Sequence, residues 1–211
     1  MKKDSDFTVI LILFTPLVFL ILAIFTIGDY QLFTLINQGV NNPILDFTCA
    51  YLSPILFSIF YFFTLASIYS SRDHLAIANG VTSLMSGPLS YYVGSFIKPL
   101  IGRPRPFNVL PNVRVIGFWH TSTFSFPSTT TMLVFGFTLP ILFEDHRLGL
   151  PLTLFSYLIG FSVIYTGFHF PGDVLAGILL SISITICTNR MKKLIAKILR
   201  KKDHLYFLLH E

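Results

Sequence analysis

Long apolar runs separated by short polar segments dominate this chain. The runs lie at about 8–27, 47–69, 75–97, 126–143, 148–168 and 171–189. Each is close to the roughly 20 residues that a helix needs to cross a bilayer. The pattern predicts an all-α, polytopic membrane protein with six transmembrane helices. The first run is too long for the apolar core of a secretory signal and lacks a small-residue cleavage site, so we interpret it as the first span.

The connections between the runs differ in length. Those near residues 144–147 and 171 are short, which predicts antiparallel neighbouring spans. Residues 29–42 are mildly amphipathic and predict a short helix at the external interface. Residues 98–124 contain several prolines, which preclude a continuous helix. This is the one long irregular segment, and functional residues often lie in long ordered loops.

Positive charge gives an orientation. With six spans, all but four of the 15 Lys and Arg residues fall on the side that holds both termini. Basic residues are enriched on the cytoplasmic side, so both termini are predicted to be cytoplasmic. The four exceptions occupy the external loop: Lys98, Arg103, Arg105 and Arg114. Residues 1–189 are then the six-span domain, and residues 190–211 are a basic amphipathic cytoplasmic tail.

Composition excludes other classes of function. The net charge is +5, but no basic patch with interleaved aromatic residues lies on a soluble module, so we expect no nucleic-acid partner. Both cysteines, Cys49 and Cys187, fall inside apolar runs and form no disulfide framework. No cluster has the spacing of a metal site, and we expect no metal and no cofactor.

Three polar clusters lie at the predicted external ends of spans three to six. They read KPLIGRPRP, FPSTTT and SVIYTGFHFPGD. Lysine and arginine in the first supply a point charge and a bidentate fork for phosphate oxygens. The second opens a helix, whose free N–H groups bind anions, and Pro127 is expected in its first turn. In the third, His169 precedes Asp173 by four residues, and a histidine oriented by a carboxylate can attack phosphate.

These motifs and their order resemble the type 2 phosphatidic acid phosphatase superfamily, which also includes vanadium haloperoxidases. The family pattern is K-x6-RP, then PSGH, then SR-x5-H-x3-D, on a core of six helices. The resemblance covers nearly the whole chain. It implies a metal-independent hydrolase, and the charge distribution along the chain places its pocket on the extracytoplasmic side.

The resemblance also implies a role for each matching residue. His169 would be the nucleophile that forms a phosphohistidine, and Asp173 would orient it. The substrate phosphate would be bound by Lys98, Arg105, Ser128 and the backbone N–H of Thr129.

Two positions depart from the family pattern. Thr130 stands where the family has its general-acid histidine, and Val163 stands where it has a second phosphate-binding arginine. A general acid is worth about 10²–10⁴-fold in rate. Arg103 and His120 lie in the same external region and are candidates to compensate for the missing groups.

The departures bear on the substrate. A monoester such as phosphatidic acid needs a proton on its leaving alkoxide, whereas a lipid diphosphate expels a weakly basic phosphate. We therefore expect an integral membrane phosphatase that acts on a polyprenyl or dolichyl diphosphate rather than on a monoester. The alternative is a catalytically decayed protein of the same fold that binds lipid or serves as a structural subunit of a membrane complex.

Overall fold

The computed structural model of the chain describes residues 2–117 and 122–210, without the side chains of residues 2–10, 12 and 202–210. Every regular element in these ranges is helical, as the apolar pattern predicted. The elements are α1 Lys2–Ile27, α2 Asp29–Asn37, α3 Pro43–Phe47, a π-helical turn Thr48–Leu52, α4 Ser53–Ser70, α5 His74–Ile101, α6 Pro106–Val109, α7 Thr129–Glu144, α8 His146–Tyr165 and α9 Pro171–His210.

The six longest of these helices coincide with the six predicted runs, but their length and apolar character support fewer crossings. Three described helical stretches are long and apolar enough to cross a membrane: Pro43–Ser70, His146–Tyr165 and Pro171–Lys201. A fourth would be the pair Leu13–Ile27 and Asp29–Asn37, which bends by 107° at its break, if it forms one span. The chain therefore belongs in a membrane, while six crossings stay a prediction.

Helix α7 lies at the centre of the bundle and packs against α5, α8 and α9. Its backbone comes very close to α5, since a Cβ on Gly136 would lie 2.8 Å from the carbonyl oxygen of Ser86. Buried hydroxyls join the helices, as in the 2.9 Å hydrogen bond between Thr138 and Ser156. Close approach at small residues and interhelical hydrogen bonds are typical of membrane helix packing.

The loops at the predicted external end are anchored to one another. Asn37, at the end of α2, donates to the carbonyl oxygens of Arg114 at 2.8 Å and Tyr165 at 2.7 Å. Arg114 in turn binds both carboxylate oxygens of Asp46 at 2.8 Å. These contacts fix the long loop against the end of α8, where the third motif begins. The first part of the amphipathic segment at residues 29–42 is a short helix, α2, which ends at Asn37 and takes part in this anchor.

Helix α9 continues without a break past residue 189, where the sequence divided membrane domain from tail. Within this helix Lys192 forms an ion pair with Glu144 at the end of α7. The cytoplasmic placement of the basic residues beyond this point stays a prediction.

Candidate active site

A polar pocket of about 290 Å³ lies where the end of α5, the start of α7 and the loop after α8 meet. All three predicted clusters contribute to it. Its lining comprises Tyr91, Ser95, Lys98, Pro99, Arg105, Ser122, Thr123, Phe124, Thr129, Thr130, Val163, Phe168 and His169. The three clusters therefore meet at one end of the bundle.

Two buried cations form one side of the pocket. Lys98, in the last turn of α5, is 4% exposed and donates to the carbonyl oxygens of Phe124 at 2.9 Å and Ser125 at 3.1 Å. Arg105 is also 4% exposed and donates to the carbonyl oxygen of Phe168 at 2.8 Å. Neither forms an ion pair with a carboxylate among the described residues. Because a buried charge is costly without a partner, this wall favours an anionic ligand.

Ser122 helps to hold Arg105 in place. Its carbonyl oxygen accepts from Nε at 2.7 Å, and its hydroxyl accepts from Nη2 at 3.1 Å. Burial lowers the pKa of Arg105, and the charge of Asp173 acts in the opposite direction. Sequence reasoning missed Ser122, because it lies in the irregular loop outside every motif and only the fold brings it to the guanidinium.

His169 lies beside Arg105 in this pocket and is 3% exposed. Its Nε2 atom lies 3.5 Å from Nη1 of Arg105, and its Nδ1 atom lies 3.5 Å from Oδ2 of Asp173. Nδ1 makes no hydrogen bond within the described part of the chain. Burial lowers the pKa of His169 to about 4; Asp173 opposes this shift, while Arg105 and Lys98 add to it. The imidazole is therefore neutral near pH 7, as a nucleophile must be.

The backbone before His169 depends on a glycine. Gly167 has a φ of +90°, and a Cβ there would lie 2.4 Å from the carbonyl oxygen of Arg114. Only glycine combines this conformation with this close contact at low cost. The turn places His169 beside Arg105 instead of continuing α8.

At the start of α7, Ser128 and Thr129, which were both predicted to bind phosphate, have different positions relative to the pocket. Ser128 is fully buried, caps the helix, and its Oγ accepts from the N–H and the hydroxyl of Thr131 at 3.4 Å and 2.9 Å. It does not line the pocket, so the structure gives it the role of a helix cap. Thr129 and Thr130 do line the pocket, and the free N–H groups of the first turn lie beside it. Helix α7 begins at Thr129, two residues after Pro127. This proline therefore precedes the helix and does not lie in its first turn, where it was predicted.

Arg103 lies on the other side of Asp173. Its Nη1 atom binds Oδ1 of Asp173 at 2.8 Å, and its Nη2 atom binds Oδ2 of Asp29 at 2.5 Å. Its guanidinium also stacks over Phe170 with 4.1 Å to the ring centroid. Arg103 is absent from the pocket lining, and its two ion pairs hold Asp173 and Asp29.

The remaining predicted residues divide into two groups. Thr130 and Val163, which occupy the substituted family positions, both lie on the pocket wall. His120 lies outside the described residues. Asp29 was missed as a site residue, because its link to Asp173 runs through Arg103 and spans distant parts of the sequence. No three His, Cys, Asp or Glu side chains in the described ranges are grouped to hold a metal ion.

Comparisons with known proteins agree with this fold. The sequence model of the PAP2 superfamily matches residues 75–196. Undecaprenyl-diphosphatase BcrC of Bacillus subtilis is 29% identical over 173 residues, which cover 79% of this chain and 86% of the relative. The lipid A 4'-phosphatase of Bacteroides thetaiotaomicron is 26% identical over 159 residues, 71% of this chain and 70% of that protein. The crystal structure of Aquifex aeolicus LpxE shares the fold, with a TM-score of 0.53 and 24% identity over 77% of this chain and 94% of that chain.

Proposed function

The chain belongs to the PAP2 superfamily, and on that premise we propose that it is a membrane lipid phosphatase that removes the terminal phosphate of a polyprenyl diphosphate. The family resemblance predicted from the three motifs is thus confirmed. One observation supports the activity most directly: buried Lys98 and Arg105 lie in the same pocket as the imidazole of His169, and neither has a carboxylate partner among the described residues. A substrate phosphate would supply the missing negative charge between them.

The proposed reaction has two steps. Nε2 of His169 attacks the terminal phosphorus, an N–P bond forms, and the bridging P–O bond breaks to release polyprenyl monophosphate. Water then attacks the phosphohistidine, giving inorganic phosphate and the free imidazole. Lys98, Arg105 and the first N–H groups of α7 offset the charge on the phosphoryl oxygens. Asp173 stabilises the proton on Nδ1, and the 3.5 Å separation shortens as the imidazole becomes positive.

The threonine at position 130 of the pocket wall affects which substrates can be hydrolysed. A threonine hydroxyl cannot donate a proton to a leaving alkoxide at neutral pH, so hydrolysis of a monoester loses about 10²–10⁴-fold. The leaving group of a diphosphate is itself a phosphate with a second pKa of about 6, and it departs without a proton. The substitution therefore penalises monoesters far more than diphosphates.

The relatives and the charge distribution support the same proposal. The Bacillus relative is named for undecaprenyl diphosphate, which is a polyprenyl diphosphate, and the Bacteroides relative is named for lipid A. We place the pocket on the extracytoplasmic side of a six-span protein, with both termini in the cytoplasm. The asymmetric distribution of Lys and Arg supports this orientation.

A second candidate is a non-catalytic member of the family that binds lipid or serves as a structural subunit of a membrane complex. The absence of the family histidine and arginine at Thr130 and Val163 favours it. The pocket would still bind a lipid phosphate through its two cations, but it would not turn the substrate over.

Phosphate release by the purified protein in detergent separates the two candidates. We expect release from undecaprenyl diphosphate, much slower release from phosphatidic acid, and loss of both in His169→Ala. His146→Ala is the matched control, because His146 lies at the start of α8, at the other end of that helix from the pocket. Binding without release from either substrate would favour the non-catalytic candidate and refute the phosphatase.

A further inference from the structure

A second cavity of about 470 Å³ lies between α4, α7 and α8. It adjoins the polar pocket that contains Lys98, Arg105 and His169, which we call the phosphate pocket. We call it the α4 cavity. It is lined mainly by apolar side chains: Cys49, Ser53, Pro54, Phe57, Ser58, Tyr61, Phe62, Leu65, Thr130, Leu133, Val134, Phe137, Ile159, Ser162, Val163 and Thr166. Its size is within the usual range of small-ligand sites.

The α4 cavity and the phosphate pocket share two lining residues, Thr130 and Val163. These are the same two positions at which the sequence departs from the family pattern. The family's histidine and arginine would put two larger polar side chains on this shared wall. Threonine and valine are shorter, and valine is apolar. The side chains between the two cavities are therefore small and partly apolar.

Several hydroxyl groups that line the α4 cavity are already paired. The hydroxyls of Ser53 and Ser162 lie 3.0 Å apart and bond to each other. The hydroxyl of Tyr61 pairs with Ser83 at 2.8 Å. A ligand in the cavity would therefore meet few free donors or acceptors, which suits a hydrocarbon.

The cavity reaches the outer surface of α4 and continues along it. Phe62 is 68% exposed, and Ser58 is also exposed. Phe62 and Leu65 also line a further apolar cavity of about 450 Å³ that extends to Tyr69. From Ser53 to Tyr69 the helix rises by about 24 Å, so the two cavities follow most of its length.

We propose that the α4 cavity holds the part of the substrate's hydrocarbon chain nearest the diphosphate, which enters from the phosphate pocket across Thr130 and Val163. The inference rests on the proposed lipid diphosphate substrate and identifies what selects it. The two substitutions that remove a general acid and an arginine also open the path for the chain. They are specificity-determining, favouring a long-chain diphosphate over a compact phosphate.

Filling the cavity from α4 tests the proposal. Ser58→Trp places an indole at the exposed mouth, whereas Ile59→Trp adds the same group at a half-exposed neighbour that lines neither cavity. The Kd for undecaprenyl diphosphate should rise about tenfold or more in Ser58→Trp, because several methylene groups lose their apolar site. The Kd for inorganic pyrophosphate, which has no chain, should stay at the wild-type value in both variants.

Equal affinity of the two tryptophan variants for undecaprenyl diphosphate would overturn the proposal. So would a wild-type protein that binds undecaprenyl diphosphate no more tightly than pyrophosphate. If Ser58→Trp does not fold, Leu133→Trp fills the cavity from α7 and must show the same loss. Because every protein in this comparison, including the one with the wild-type cavity, also carries His169→Ala, binding is measured without turnover. Absence of phosphate release in the protein with His169 intact would refute the phosphatase and leave this test intact.

Val163→Arg tests the shared wall itself. An arginine there would close the path and restore a phosphate-binding charge. The ratio of the Kd for undecaprenyl diphosphate to the Kd for pyrophosphate should rise about tenfold or more. An unchanged ratio would mean that the chain does not cross this wall.

Discussion

Arg103 and Arg105 lie two residues apart in the first motif, yet the structure gives them opposite roles. Arg103 binds the carboxylates of Asp29 and Asp173, which outweigh the effect of burial and raise the pKa of Arg103 above its ordinary value. Arg105 is bound by carbonyl and hydroxyl oxygens of neutral groups instead. Replacing each by glutamine should therefore damage the protein in different ways.

The sizes of the two effects follow from these contacts. Arg103→Gln leaves two carboxylates without their cation, one of them fully buried, and breaking a buried ion pair costs about 3–5 kcal/mol. The partial exposure of Arg103 and Asp29 puts the expected loss at the low end, about 3 kcal/mol. Arg105→Gln removes a buried cation, which has no carboxylate partner among the described residues, and relieves its desolvation, but it also loses hydrogen bonds to neutral oxygens. These effects oppose each other, so the net change in stability should be smaller, about 1 kcal/mol. Activity should fall about 10²–10³-fold, since Nη1 lies beside the attacking Nε2 atom.

Both variants can be compared in one preparation. Thermal unfolding in detergent should show a clearly lower Tm for Arg103→Gln and a nearly unchanged Tm for Arg105→Gln. Phosphate release from undecaprenyl diphosphate at a temperature where both variants are folded gives kcat/KM. An Arg105→Gln variant with wild-type kcat/KM would refute the assignment of this guanidinium to the phosphate. A wild-type Tm in Arg103→Gln would refute its role in holding the two carboxylates.

Three further predictions concern the acid, the nucleophile and its backbone. Thr130→His should raise phosphate release from phosphatidic acid by up to about 10²-fold while changing release from undecaprenyl diphosphate little, because only the monoester needs the proton; equal gains on both substrates would contradict this. The pKa of His169 is lowered from 6.5 to about 4, so its imidazole stays neutral as the pH falls through 6 and becomes charged only near 4. kcat/KM should accordingly fall through protonation of His169 only below about pH 5. A fall in kcat/KM with an apparent pKa of 6.5 that does not come from ionisation of the substrate would contradict the burial of the imidazole. Gly167→Ala should lower both Tm and kcat/KM because of its φ of +90° and the contact with Arg114, whereas Gly160→Ala within α8 should change kcat/KM far less.

The fold and the centre of the site could be predicted from the sequence because both depend on local signals. Long apolar runs identify the helices, and the spaced motifs identify Lys98, Arg105 and His169. The fold brings these three residues to one pocket. Asp173 follows His169 by only four residues, across the start of α9, so its proximity was also local. Their catalytic roles stay predictions until activity is measured.

Other parts of the site depend on contacts that sequence patterns do not contain. Ser128 and Thr129 are adjacent hydroxyl residues, and only the position where α7 begins decides which one caps the helix and which one lines the pocket. The sequence makes Arg103 a candidate second phosphate-binding arginine, whereas in the structure the start of α2 places Asp29 beside it. Side-chain orientation at helix ends and pairing between distant segments are set by the tertiary structure.

The number of membrane crossings was also harder to predict than the number of helices. The region of α5 contains many small and hydroxyl-bearing residues that face α7 and α9, which lowers its apolar character. Helix α7 has only 16 residues. A helix surrounded by other helices need not be as long or as apolar as one that faces lipid, so composition alone does not fix its placement.

A phosphorylated His169 is the most direct test of the central claim that this pocket is catalytic. The protein can be mixed with undecaprenyl diphosphate, quenched rapidly at alkaline pH, where phosphohistidine survives, and digested for mass spectrometry. The account predicts a phosphate on the peptide that contains His169, formed and lost at rates that match turnover, and none in His169→Ala. Turnover with no phosphate on His169, or with phosphate on another residue, would contradict it.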